Sequence, residues 1–344
     1  MKDPLRLCIS LKFKTLLIYL VLSGYFAACF ASEKIQMPFD QTRNILYSRE
    51  DLWAGYDSNP TKNKSLDWRI YEYFNGIAKY SPSLEELKAQ RSHDSGMDHA
   101  INNFFEINNL GIPKTKKIIV IMGSHSMLRS DATYHDVARL SYDLASSGYY
   151  IVTGGGPGLM EASHLGAYMS YYKKKDLEDA LSILDSSSSP LIGDPTKQYE
   201  LLDYWSVALK VIAKYPDGAD SLGIPTWFYG HEGANIFSKH VAKYFSNALR
   251  EEKICALGFY GAIFADGGPG TLQEIFMDAA QNGYGSYNIY SPMIFFSKNK
   301  TAFEIQDFID RSTTKAYQRL KMTYVSSDST EVGKFLIQHP PKSK

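Results

Sequence analysis

At 344 residues, with 44% hydrophobic and 14% aromatic content, the chain can bury a full α/β core together with an accessory region, which excludes a disordered polypeptide. Its 37 basic and 37 acidic residues cancel, and beyond the first 31 residues 33 basic and 36 acidic remain, so no basic excess points to nucleic acid. Two of the three cysteines, Cys8 and Cys29, lie in those first 31 residues, so Cys255 stands alone and neither an internal disulfide nor a cysteine metal site is expected.

The chain opens with Lys2, Arg6, Lys12 and Lys14 ahead of an apolar run from Leu16 to Phe30, with Cys29 and Ala31 as the small residues before a cleavage point. Residues 1–31 read as a signal peptide, which implies an exported protein, periplasmic or secreted, with no stable membrane association after cleavage. An uncleaved membrane anchor and a lipid-modified Cys29 are the open alternatives. Residues 32–115 are polar, aromatic and weakly periodic, with turn signals at Asp57-Ser58-Asn59-Pro60 and Ser81-Pro82-Ser83 and helical stretches at 66–77 and 84–90. They read as an accessory N-terminal region.

Residues 116–344 read as the main domain. The apolar run 117–122 predicts a strand ending in Gly123-Ser124-His125-Ser126, followed by a helix over 134–147 with Val137, Leu140 and Leu144 on one face. A strand at 149–152 leads through Thr153-Gly154-Gly155-Gly156-Pro157-Gly158 into a helix over 159–169. Residues 173–222, with a serine run at 186–189 and a helix over 199–213, read as a helical insertion that would serve as a lid. Alternation resumes with strand 224–229, helix 236–249, strand 260–265, helix 271–280 and strand 293–296, and a helix or two follow Thr301. Such alternation predicts an α/β fold, a Rossmann-like doubly wound parallel sheet flanked by helices.

The segment Asp266-Gly267-Gly268-Pro269-Gly270-Thr271-Leu272-Gln273-Glu274 runs from strand to helix. Unpaired N–H groups at the helix start, backed by the helix dipole and left open by glycine, make Gly267, Gly268 and Gly270 an anion site, with the Thr271 hydroxyl as a further donor. Glu274 follows one turn in. That layout suits a phosphate and a sugar lying side by side. Glu274 would equally close a capping box with Thr271.

Gly154, Gly155, Gly156 and Gly158 form an upstream copy, and two such turns at strand carboxyl ends would wall one cleft. A dinucleotide fingerprint starting at Gly154 would need glycine where Leu159 stands, and no Lys-Ser/Thr pair follows either turn. A nucleoside monophosphate fits better. Gly123, Ser124, Glu161 and Asn235 are further candidate binding residues; His125 better suits a structural hydrogen bond. Asn235 either contacts base or ribose or caps a helix. Adjacent His231 and Glu232 would not converge on one ion, so no metal is expected.

Gly-Gly-Gly-Pro-Gly-Leu-Met-Glu-Ala at 154–162, followed by Gly-Gly-Pro-Gly-Thr-Leu-Gln-Glu at 267–274, resembles the LONELY GUY (LOG) family, formerly mislabelled lysine decarboxylases. The resemblance covers residues 116–296. It implies a phosphoribohydrolase, a hydrolase cleaving the N-glycosidic bond of a nucleoside 5'-monophosphate to free base and ribose 5-phosphate, without cofactors, and a homodimer with the site near the subunit interface. It further implies Glu274 as catalytic glutamate and Arg250, at the end of the helix over 236–249, as catalytic arginine. Lys253 is the alternative cation. Family spacing would put the arginine one residue later, the usual following lysine is replaced by Glu251, and Asp266 stands where the family has proline. These departures leave open a noncatalytic carrier or sensor of a phosphorylated ligand, like the molybdenum-cofactor carriers that resemble the family.

Overall fold

The computed structural model describes residues 37–56, 62, 64–108, 111–187, 198–230 and 233–344. The leader expected at 1–31, the turn expected at 57–60, His231, Glu232 and the end of the serine run lie outside the described residues. Residues 39–344 make one unit; of the other, 1–38, only Met37 and Pro38 are described.

The strands among the described residues are β1 (Tyr47–Ser48), β2 (Lys117–Met122), β3 (Tyr149–Thr153), β4 (Leu222–Gly223), β5 (His240–Val241), β6 (Ala262–Ala265), β7 (Ile289–Tyr290), β8 (Met293–Phe296), β9 (Thr323–Ser326) and β10 (Lys342–Ser343). Eight form one sheet in the order β1-β5-β4-β3-β2-β6-β8-β9, parallel except for the edge strand β1. Strands β7 and β10 pair apart from it. The central strands are apolar runs because both their faces are covered: Ile118 to Met122, Ala262 to Ala265 and Met293 to Phe296 are all buried. From β2 the chain winds one way through β3, β4 and β5, then returns to the other side of β2 to lay down β6, β8 and β9. The fold is therefore the Rossmann-like doubly wound α/β fold, and its winding reverses between β2 and β6, where ligand crevices open.

The α-helices among the described residues are α1 (Arg49–Trp53), α2 (Leu66–Tyr73), α3 (Leu84–Phe104), α4 (Ala132–Ser146), α5 (Leu159–Met169), α6 (Lys174–Leu184), α7 (Gln198–Lys214), α8 (Asn247–Leu257), α9 (Pro269–Tyr284), α10 (Lys300–Ser312), α11 (Lys315–Leu320) and α12 (Ser329–Gln338). Helices α4 and α5 pack closely because Gly166 has no side chain; a Cβ there would lie 2.1 Å from Ala138 O.

Several expectations need correction. No helix spans 236–249: the chain is extended through β5, and α8 begins at Asn247. The run from Val241 to Phe245 is buried on every side, Lys243 included, whereas an amphipathic helix would leave one face in water. Lys243 Nζ pairs with Asp67 Oδ1 at 2.8 Å, and Asp94 accepts the backbone N–H groups of Phe245 and Ser246 at 2.9 Å each. Arg250 thus sits in the first turn of its helix, not the last. The strand expected at 224–229 does not form: β4 lies just before it, at Leu222–Gly223, and one isolated bridge from Thr226 to Tyr244 falls within the expected range, where Pro225 has no N–H to donate. Helix α3 runs 21 residues, far past 90, because His93 and Asp94 are buried and bonded rather than marking a polar end. Within 173–222, α6 buries Leu177, Ala180, Leu181 and Leu184 in the core.

Candidate functional site

A cleft of about 610 Å³ opens at the carboxyl ends of β2, β3 and β6. It gathers Gly123, Ser124, Gly154, Arg250, Gly268, Gly270, Thr271 and Glu274 from the residues singled out in the sequence, and His125 and Met160 with them. Gly155, Gly156, Gly158, Glu161, Asn235 and Gly267 do not line it, and among the described residues neither does any part of 173–222.

The first glycine turn is locked from behind. At the end of β3, Thr153 Oγ1 accepts from Gly155 N at 2.9 Å and pairs with His164 Nε2 at 2.8 Å; His164 Nδ1 pairs with Ser221 Oγ at 2.7 Å. Burial lowers the His164 pKa to about 3, so the ring stays neutral and serves as a fixed relay. Asn235 caps no helix and does not line the cleft: its N–H donates to Gly155 O at 2.8 Å and its Nδ2 to Gly156 O at 3.1 Å. Gly158 has φ of 65°, and a Cβ there would fall 2.4 Å from Ser124 O. Only Gly154 reaches the cleft, and its missing side chain makes room for Arg250, whose Nη1 would lie 3.0 Å from a Cβ.

The second turn is open. Helix α9 starts at Pro269, with Gly268 as N-cap and no side chain capping it, so Thr271 and Glu274 lie inside the helix and form no capping box. A Cβ on Gly268 or Gly270 would meet nothing within 4 Å. The first-turn N–H groups are thereby left to a ligand. Asp266 does not obstruct this end: Ser297 Oγ donates to its Oδ1 at 2.5 Å, and its carbonyl accepts from Ser124 N at 3.0 Å.

Between the turns stand Arg250, Glu251 and Glu274. Arg250 donates through Nη2 to Asn247 Oδ1 at 2.7 Å and also to Glu251 Oε1. Arg250 and Glu251 are 7% and 1% exposed, and Glu274 is 9% exposed. Burial, and then the Glu251 charge, push the Glu274 pKa well above the usual carboxylate range, with Arg250 acting in the opposite sense. This arrangement supplies an anion site, a cation and two carboxyls within one crevice.

Glu161, expected at the cleft, is fully buried elsewhere. Arg129 Nη2 donates to its Oε1 at 2.6 Å and Arg129 Nε to its Oε2 at 2.9 Å, while Tyr134 and Tyr204 hydroxyls donate to Oε2. Nothing in the local sequence announced Arg129. Lys253, the alternative cation, bonds Asn102 Oδ1 at 2.8 Å and does not line the cleft. Thr226, Tyr229 and Gln273 line it and were missed; the Tyr229 hydroxyl accepts from Asn247 Nδ2 at 2.9 Å.

Among the described residues no group of three or more His, Cys, Asp and Glu side chains is placed to hold a metal ion, and no helix is long and apolar enough to cross a membrane.

No protein-family model matches the chain, and no curated protein matches it in sequence. Among solved structures, two of the molybdenum cofactor carrier protein from Chlamydomonas reinhardtii are similar at 14% identity over 65% of this chain and 99% of theirs, with a TM-score of 0.39. The structural-genomics target TM1055 is similar at 15% identity over 65% of this chain and 99% of its own, with a TM-score of 0.36. Likeness at this level says nothing of activity or ligand, so function is argued from the cleft.

Proposed function

We propose that the protein hydrolyses the N-glycosidic bond of a nucleoside 5'-monophosphate, releasing free base and ribose 5-phosphate. The observation that carries this reading is the meeting, in one cleft, of the open α9 N-terminus with Arg250 and Glu274. Phosphate would be held by the N–H groups around Gly268 and Gly270 and by the Thr271 hydroxyl. Glu274 lies one turn, ~5.4 Å, further along the helix, a span suited to reach from a 5'-phosphate to the anomeric carbon. Arg250 would steady the sugar phosphate or the carboxyl. Export and homodimer assembly complete the proposal; Leu272 and Phe276, exposed on α9, offer a second copy an apolar surface.

A carrier or sensor of phosphorylated ligands is the second reading, favoured by one observation: Glu251 already engages Arg250, which leaves less of its charge for catalysis. The two separate on incubating the protein with a panel of nucleoside monophosphates beside Glu274→Gln and quantifying base and ribose 5-phosphate by chromatography. Release by the parent alone supports the hydrolase; tight binding without release by either supports the carrier.

A further inference from the structure

Glu251 follows Arg250 on α8 and is buried. Arg250 engages its Oε1, whereas Oε2 is buried with no hydrogen-bond donor among the described residues. The Glu274 carboxyl lines the same cleft from the helix packed beside it, and the two carboxyls interact there. Two carboxylates brought together in a buried site do not readily ionise at once; a single proton shared between them would satisfy the leftover oxygen and remove the repulsion. The surrounding charged and titratable groups do not replace that proton. From α8 come Arg250, bound to Glu251, and Cys255, whose Sγ lies 3.7 Å from Glu274 O. From α9 comes Asp278, one turn deeper, bonded to Asn282. From the loop after β2 comes His125, on the cleft wall.

We infer that Glu251 and Glu274 form a carboxyl pair sharing one proton, in which Glu274 is the general acid that protonates the leaving base and Glu251 the partner that recovers the proton. This rests on the hydrolase reading above. Arg250 contacts Glu251 directly and so holds the negative charge there, leaving the proton with Glu274. The raised pKa of Glu274 agrees with that division. In the step, the Glu274 O–H proton passes to the base nitrogen as the C1'–N bond breaks, and the bond's electron pair leaves with the base. Water adds to C1' through its oxygen, and the proton it sheds returns to the pair through Glu251. One water is consumed, and the pair ends with the proton it began with.

The test is a carboxyl-carbon NMR titration of the full chain labelled in glutamate, with Glu274 assigned through Glu274→Gln, run beside the pH dependence of base release from adenosine 5'-monophosphate. In the parent, Glu274 titrates well above the usual carboxylate range. In Glu251→Gln its midpoint moves to lower pH, the alkaline limb of the rate profile moves with it, and kcat falls on the order of 10²-fold. If Glu251→Gln does not fold, Glu251→Asp replaces it, and withdrawing the carboxyl lowers the midpoint in the same direction. A parent Glu274 titrating in the ordinary range, or a midpoint that neither variant moves, overturns the pair. A displaced midpoint with no base released from any of the common nucleoside monophosphates overturns the acid role and the hydrolase reading together, while leaving the shared proton standing.

Discussion

The tetrapeptide Gly-Gly-Pro-Gly occurs twice, at 155–158 and 267–270, and the two copies are built differently. In the first, the helix begins only after the final glycine, which takes a positive φ, and all four residues are buried. In the second, the helix begins at the proline, the final glycine is already helical, and all four residues are exposed. The neighbours decide the phase. Asn235, Thr153 and the Ser124 carbonyl grip the first copy, whereas Gly268 and Gly270 of the second have open space where a side chain would stand. One copy is scaffold and the other opens on the cleft. The two buried arginine–glutamate pairs divide in the same way: Arg129–Glu161 is closed and saturated with hydroxyl donors, while Arg250–Glu251 lines the cleft with one carboxyl oxygen left over.

This contrast is easiest to break with paired substitutions. Glu274→Gln on the ligand side should lower base release on the order of 10³-fold with the midpoint of urea unfolding nearly unchanged. Glu161→Gln on the scaffold side strips the partner charge from a buried arginine and should lower stability by ~3–5 kcal/mol, read by urea unfolding, with little effect on kcat of the folded protein. Equal effects of the two on rate would erase the distinction.

The next pair addresses the glycines. Gly158→Ala forces a side chain into a positive-φ position against the Ser124 carbonyl and should cost ~1–3 kcal/mol. Gly270→Ala meets no atom and lies in a helix, so it should stabilise by up to ~1 kcal/mol while weakening nucleotide binding. Urea midpoints with and without nucleotide check both signs.

A pH-dependent comparison sharpens the view of α9 itself. Burial raises the Asp278 pKa from 3.8 to about 8, so its neutral form is the one the fold accommodates. The stability this confers is full below pH 3.8 and is lost as pH rises towards and through about 8. Asp278→Asn keeps an acceptor for Asn282 and should therefore be more stable than the parent at pH 8 and nearly equal to it at pH 4, as urea midpoints at the two values would report. A variant weaker than the parent at pH 8 would contradict the assignment.

Strands β2, β3, β6 and β8 were legible because they are apolar runs of strand length beside glycine turns or loops, while β1, β4, β5 and β9 were not; 293–296 and the helix at 159–169 have the boundaries their patterns predict. The segment 236–246 was not, since alternating apolar and polar letters cannot reveal that Ser238 and Lys243 are themselves buried and bonded. The glycine turns and Glu274 could be read from local spacing. The identical tetrapeptides could not be told apart, because much of what separates them is contributed by Ser124 and Asn235, distant in sequence. Glu251 was visible only as an acid where a base was expected, and its meaning depends on α8 and α9 lying side by side.

The central claim is that the open turn binds the phosphate of a sugar phosphate. Calorimetric titration with ribose 5-phosphate and with ribose, for the parent and for Gly270→Asp, tests it without requiring turnover. The parent should bind the phosphorylated sugar and not ribose, and the variant, its added carboxylate repelling the phosphate, should lose that binding while keeping its Tm. Undiminished binding of ribose 5-phosphate by a folded Gly270→Asp would contradict the account.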